Sequence, residues 1–113
     1  MQRKSTEEVI RILSNYFKSQ PVVQQAWLFG SYARGEQTLH SDVDVIILPN
    51  SSVQTSPIIE TASHFARILD RMQQDLQQLL GCEVELIPEA ELFPSTRERA
   101  EREKILIYSR SFR

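Results

Sequence analysis

The sequence predicts an α/β domain, a small mixed β-sheet flanked by helices, and three observations carry that expectation. Apolar residues recur at helical spacing in two stretches, 4–19 and 58–80. Three short apolar-rich runs are each closed by glycine or proline. The pieces follow one another as helix, strand, short turn, strand, helix, strand, helix, the order of an α/β chain.

The first helix is read over Lys4 to Ser19, where Val9, Ile10, Leu13, Tyr16 and Phe17 recur at three- and four-residue steps. Ser5 and Glu8 have capping-box spacing, and Pro21 stops the helix. Val22 to Phe29 reads as a mostly buried strand closing at Gly30. Asp42 to Leu48 is a second strand, ended by Pro49 and the polar run NSSVQTS, which reads as a flexible loop. Ser56 before Pro57 resembles an N-cap followed by proline at the first helical position. Beyond it Ile58, Phe65, Ile68, Leu69, Met72, Leu76, Leu79 and Leu80 mark a long amphipathic helix up to Gly81. Cys82 to Ile87 is a third strand, stopped by Pro88, and Ser95 to Glu98 form a second capping box that opens a charged helix reaching Lys104. The apolar segment Ile105 to Tyr108 fits either the end of that helix or a short strand, because periodicity does not choose between them.

No internal repeat or domain boundary interrupts the chain, so residues 1–113 read as a single domain. A chain of this size buries one core but not a deep, fully walled cleft, so a large ligand lies partly open or is covered by a partner. The net charge of −2 argues against long nucleic acid as a ligand and leaves room for a small phosphorylated one bound with a metal. Cys82 is the only cysteine, which excludes an intrachain disulfide and a multi-cysteine zinc site. The stretch MQRKSTEEVIRIL lacks the apolar run of a signal peptide, and no segment approaches the roughly 18 apolar residues of a membrane span. The expectation is a cytoplasmic protein.

The chemistry concentrates in GSYARGEQTLHSDVDV, Gly30 to Val45, which holds two of the three glycines and two aspartates one residue apart. Strand alternation sends Asp42, Asp44, Ile46 and Leu48 to one face. The two aspartates then stand about 6.5–7 Å apart at Cα, able to converge on one ion or a close pair. Side by side they repel and raise each other's pKa, an arrangement that makes sense around Mg²⁺. The segment CEVELI places Glu83, Glu85 and Ile87 on one face of the third strand, and one of these glutamates could complete a three-carboxylate cluster. Such a cluster holds two Mg²⁺ for in-line displacement at phosphorus. Gly30 lets a backbone approach closely, Ser31 to Arg34 can start a short helix aimed at an anion, and Arg34 can contact phosphate oxygens.

Each feature alone is ordinary: a Gly-Ser turn is commonly just a turn, and Asp-Val-Asp a solvated strand face. Their conjunction with an acidic strand downstream is what points to a site. Tyr32 and Trp27 read as core or rim, His40 as a loop residue, His64 as a surface histidine and Cys82 as buried and inert. The run RERAEREK, Arg97 to Lys104, reads as a solvated helix face from which Arg97 or Arg99 reaches phosphate if that helix packs beside the site.

These segments resemble the minimal nucleotidyltransferases, the smallest members of the DNA polymerase β-like superfamily. The residues carrying the likeness are Gly30-Ser31-Tyr32-Ala33-Arg34-Gly35-Glu36, Ser41-Asp42-Val43-Asp44-Val45 and the short Val84-Glu85-Leu86-Ile87. The resemblance implies a single nucleotidyltransferase domain in which Gly30 and Ser31 contact the β- and γ-phosphates of ATP. Arg34 and Ser41 stand with them as nucleotide-binding positions. It further implies that Asp42 and Asp44 bind Mg²⁺ and that the third carboxylate, often credited with activating the attacking hydroxyl, is Glu85. Most members carry aspartate there, one methylene shorter.

Such proteins are said to act beside an all-helical partner called HEPN, often a ribonuclease toxin, as antitoxins that transfer AMP from ATP to a tyrosine of that partner. Two other readings stand beside this one. The glutamate at position 85 motivates a noncatalytic module that neutralises its partner by binding alone. Adenylylation of a small molecule such as an aminoglycoside would use the same residues, although no second domain is present to shape a drug pocket. The apolar ILIY segment also suggests self-association into a homo-oligomer.

Overall fold

The computed structural model describes residues 4–50 and 58–110; the expected Ser56 cap and all of the NSSVQTS run after Asn50 lie outside the described residues. Helix α1 spans Thr6–Phe17 and is capped as its sequence predicts, the Ser5 hydroxyl accepting the Glu8 N–H at 3.1 Å. Its apolar face buries Val9, Leu13 and Phe17. Strand β1, Val23–Phe29, leads through Gly30 into the one-turn helix α2, Ser31–Arg34. Strand β2, Val43–Pro49, is followed by the long helix α3, Ile58–Leu80, and by β3, Val84–Pro88. A 3₁₀ turn, Glu89–Glu91, joins β3 to helix α4, Pro94–Glu103, and β4 spans Ile105–Ser109.

One helix expectation changes and one open choice is settled. The capping box read at Ser95 is not used: α4 begins two residues earlier than that cap implies, with Pro94 as its first residue, and the N-cap is Phe93, which makes no side-chain cap bond. Proline at the first helical position dictates this start, because its missing N–H is one the helix would leave unpaired there. The ambiguous segment Ile105 to Tyr108 is a strand, since it finds β1 to pair with.

The sheet is mixed, in the order β3-β2-β1-β4. Strand β1 is antiparallel to both β2 and β4, while β2 and β3 are parallel and are joined across by α3. Helices α1 and α3 cover one face, where Leu13, Phe17, Met72 and Leu76 meet Val23, Leu28, Val45 and Ile47. Helix α4 covers part of the other, with Ala100 buried against Phe29 and Ile46. Alternation holds within β2, where Val43, Val45 and Ile47 enter the larger core and Asp44 and Ile46 face the side of α4, but Asp42, expected as the first residue of this strand, lies just before it.

The outer edge of β3 is closed by two glutamines of α3. Gln77 accepts the Val84 N–H and Gln73 the Leu86 N–H, each at 3.2 Å. This covers backbone donors that would otherwise invite another strand. At the other side Arg110 reaches back, its guanidinium donating to the carbonyls of Val23 and Gln20, and ties the end of β4 to the entrance of β1.

Candidate active site

Every element that meets at the carboxylate end of β1 and β2 is held there by identifiable contacts. The Thr6 hydroxyl donates to the Tyr32 carbonyl at 2.7 Å, and the Gln37 amide donates to Lys4 and Thr6, which fastens the start of α1 to α2. Between α2 and β2 the chain turns on itself: the Thr38 N–H donates to the Ser41 hydroxyl at 2.8 Å and the Ser41 N–H returns to the Thr38 carbonyl. Ser41 thus shapes the loop that delivers Asp42.

Gly30 is required at its position for two independent reasons. Its φ of +81° lies where L side chains are strained, and a Cβ there would stand 2.6 Å from Asp44 Oδ2. The Asp44 carboxylate rests against bare backbone at the point where β1 becomes α2. The strand register places Phe29 opposite Asp44 on one side and Glu85 opposite it on the other. Of the two glutamates that alternation offers, it is Glu85 that stands beside Asp44, while Glu83 is set one step back and its carbonyl accepts the Val43 N–H.

The electrostatics follow from that crowding. The Asp44 carboxyl is pushed up to about 6, first by burial, then by the charges of Glu85 and Asp42 and by a hydrogen bond to Glu85. The positive charge of Arg99, on α4, pulls in the opposite direction. Asp42 and Glu85 are exposed and Asp44 is half-buried, so the cluster opens to solvent.

Asp42, Asp44 and Glu85 share an oxygen-donor chemistry that suits a hard divalent cation, and an ion would relieve the carboxylate repulsion that adds to burial in lifting the Asp44 pKa. Among the described residues no group of three or more His, Cys, Asp or Glu side chains already surrounds a common metal position. The residues fit Mg²⁺ by type and charge.

Arg34 is placed differently from its sequence reading. Its guanidinium donates to Glu36 at 2.7 Å and to Glu103 of α4 at 3.1 Å. Its Nε and Nη1 are thus already committed to carboxylates. Arg97 is likewise engaged, with the Glu89 carboxylate and with the Glu89 carbonyl at 2.9 Å. The Glu103 contact joins residues 69 positions apart, and no local spacing announces it.

The remaining residues singled out in the sequence fall outside the cluster. Tyr32 is a core residue, only 3% exposed, and Trp27 is partly buried beneath the Lys104 ammonium, 4.6 Å from the ring centre. His40 is exposed in the loop, and His64 lies on α3 beside a cleft of about 520 Å³ lined by Tyr16, Arg71 and Asp75. Cys82, read from the sequence as buried, is only partly buried, and that burial pushes its thiol pKa up. No described helix is long and apolar enough to cross a membrane.

Comparison with known proteins gives a consistent result. The profile of the nucleotidyltransferase domain matches residues 7–107. A chain of Methanocaldococcus jannaschii assigned as a protein adenylyltransferase is 33% identical over 81 residues, 72% of this chain and 72% of that relative. A solved structure described as a minimal nucleotidyltransferase superposes with a TM-score of 0.61 at 26% identity, covering 93% of this chain and 98% of the other. A Shewanella oneidensis complex of a tri-AMPylated HEPN toxin with an MNT antitoxin shares the fold, with a TM-score of 0.61 at 14% identity, covering 93% of this chain and 73% of the other.

Proposed function

The chain belongs to the nucleotidyltransferase domain family, and from that premise we propose that it is a Mg²⁺-dependent adenylyltransferase moving AMP from ATP to a hydroxyl of a helical HEPN-type partner, for which it serves as antitoxin. The observation that carries this reading is the register of β2 and β3, which sets Asp44 beside Glu85 with Asp42 charged nearby, directly against the Gly30 entrance to α2. Carboxylates packed this way are unfavourable alone and useful only with a cation between them and a polyphosphate.

In the reaction, the acceptor oxygen forms a bond to the α-phosphorus of ATP, the bond to pyrophosphate breaks, and the hydroxyl proton is lost. Asp42 and Asp44 would hold Mg²⁺, which when bound lowers the pKa of the attacking hydroxyl and neutralises the leaving pyrophosphate. Glu85, exposed and beside Asp44, would take the proton. Gly30 and Ser31 receive the phosphates where the chain enters α2, and Ser41 keeps the intervening loop in shape. The cluster is open to solvent, so the acceptor is delivered by another molecule. Self-association would use the outer edge of β4, which pairs with no other strand among the described residues.

The test is label transfer from α-labelled ATP with Mg²⁺ into proteins of a lysate of the source organism, comparing wild type with Asp44→Asn. A labelled protein band seen only with wild type supports the reading and delivers the acceptor. Equal labelling by the variant refutes it. Neutralisation of a coexpressed partner by an Asp42→Asn, Asp44→Asn double variant would show that binding alone suffices.

A further inference from the structure

Helix α4 is fastened at both ends across the face of the sheet that carries the carboxylates. Near its start Arg97 is bound to Glu89, in the turn after β3. At its end Glu103 holds Arg34, in the last turn of α2. Between these anchors Ala100, 1% exposed, packs onto Phe29 and Ile46. Phe29 is the strand partner of Asp44, and Ile46 lies two residues beyond Asp44 on the same face. The middle of α4 therefore lies beside the carboxylate cluster, and Arg99 precedes its buried contact by one residue.

Arg99 differs from the other cations of this region. Arg102 pairs with Glu98, Lys104 with Glu101, Arg97 with Glu89 and Arg34 with two carboxylates. Arg99 is exposed and, among the described residues, makes no ion pair or hydrogen bond, although its charge is felt at Asp44. A guanidinium left without a carboxylate, on a helix where the other two arginines each have one, is available to an external anion.

Resting on the adenylyltransferase reading, we propose that Arg99 is a substrate-binding residue whose guanidinium contacts the triphosphate oxygens of ATP, supplying the positive charge that Arg34, held by Glu36 and Glu103, does not. Phosphate is the fitting ligand because a planar guanidinium pairs with its oxygens bidentately. The same charge would offset that of the three carboxylates while the nucleotide is seated.

Calorimetric titration decides this, using ATP and, separately, inorganic tripolyphosphate, each with Mg²⁺, against wild type, Arg99→Ala, Arg99→Lys and Arg102→Ala. Arg99 is exposed, so its variants should fold, and circular dichroism confirms that they do. The expected result is that Arg99→Ala weakens both ligands by about tenfold or more, that Arg99→Lys recovers part of the loss, and that Arg102→Ala stays within about twofold of wild type. Wild-type affinity in Arg99→Ala, or an equal loss in Arg102→Ala, overturns the proposal. A loss for ATP alone also overturns it, because it would put Arg99 on the base and not on the phosphates. If wild type binds neither ligand, the adenylyltransferase reading falls and this proposal with it; if wild type binds and Arg99→Ala matches it, only the assignment of Arg99 falls.

Discussion

Replacing Asp44 with asparagine should make the metal-free protein more stable at neutral pH, even though it removes a central group of the proposed chemistry. The Asp44 carboxyl is moved from its ordinary 3.8 to about 6 by burial and by Glu85 and Asp42. A rise of that size corresponds to a ceiling of about 3 kcal/mol against folding once the group is ionised. Asp44 is only half-buried, and solvent screening brings the expected effect down to about 1–1.5 kcal/mol. Because the folded pKa lies above the unfolded one, the native state holds the extra proton between about pH 4 and pH 6. Wild type therefore loses stability relative to Asp44→Asn as pH rises through that window, and the difference is constant above it. Urea unfolding from pH 3.5 to 8 in EDTA, followed by far-ultraviolet circular dichroism, measures it directly. Near neutrality the variant should melt about 4–6 °C higher than wild type. A difference that does not change with pH, or a variant less stable than wild type at pH 7, would refute the account of Asp44 as a strained carboxylate awaiting a cation.

Four further outcomes are expected. Mg²⁺ near a hundredfold over its dissociation constant should stabilise wild type by about 2–3 kcal/mol in thermal melts and leave Asp44→Asn nearly unchanged. Gly30→Ala should destabilise by about 2 kcal/mol in urea and displace the Asp44 carboxylate, combining strained backbone with a contact to Asp44 Oδ2; a neutral result would show that the strand end is looser than drawn. Leu13→Ala, at a fully buried position of α1, should lower unfolding free energy by about 2–5 kcal/mol. Tyr16→Phe removes the phenol donated to Asp75 at 2.7 Å and should lower stability by about 1 kcal/mol. Burial and that hydrogen bond hold the Tyr16 phenol well above its ordinary range, so ultraviolet titration of wild type should show one tyrosine ionising late and the Phe variant should lose that component.

The fold was largely legible because its signals are local. Helical spacing located α1 and most of α3, Gly30 and Gly81 mark turns at positive φ, and alternation assigned the two faces of β2. What local pattern does not contain is pairing. The choice of Glu85 over Glu83 beside Asp44 depends on the β2–β3 register, which alternation alone leaves open. The strand state of Ile105 to Tyr108 depends on β1 offering an edge. The start of α4 was available in the sequence, since Pro94 is the stronger signal and the Ser95 spacing a coincidence. Arg34 shows the remaining limit: its position in the motif points to phosphate, yet in the fold its charge is matched by Glu103 from a helix far along the chain.

The place of β4 in the sheet has a kinetic consequence. Strand β1 is interior, and its second neighbour, β4, comes from a segment far downstream, with Gln25 and Ser109 side by side though 84 residues apart in the chain. Closing so long a loop is entropically unfavourable and is repaid only after contacts with short separations have formed. The α1, β1 and β2 segments can associate early, whereas the β1–β4 pairing and the Arg110 ties to Val23 and Gln20 come late. During synthesis the polypeptide emerges with one side of its central strand unpaired until β4 arrives, leaving a nascent edge exposed to chaperones and to other chains.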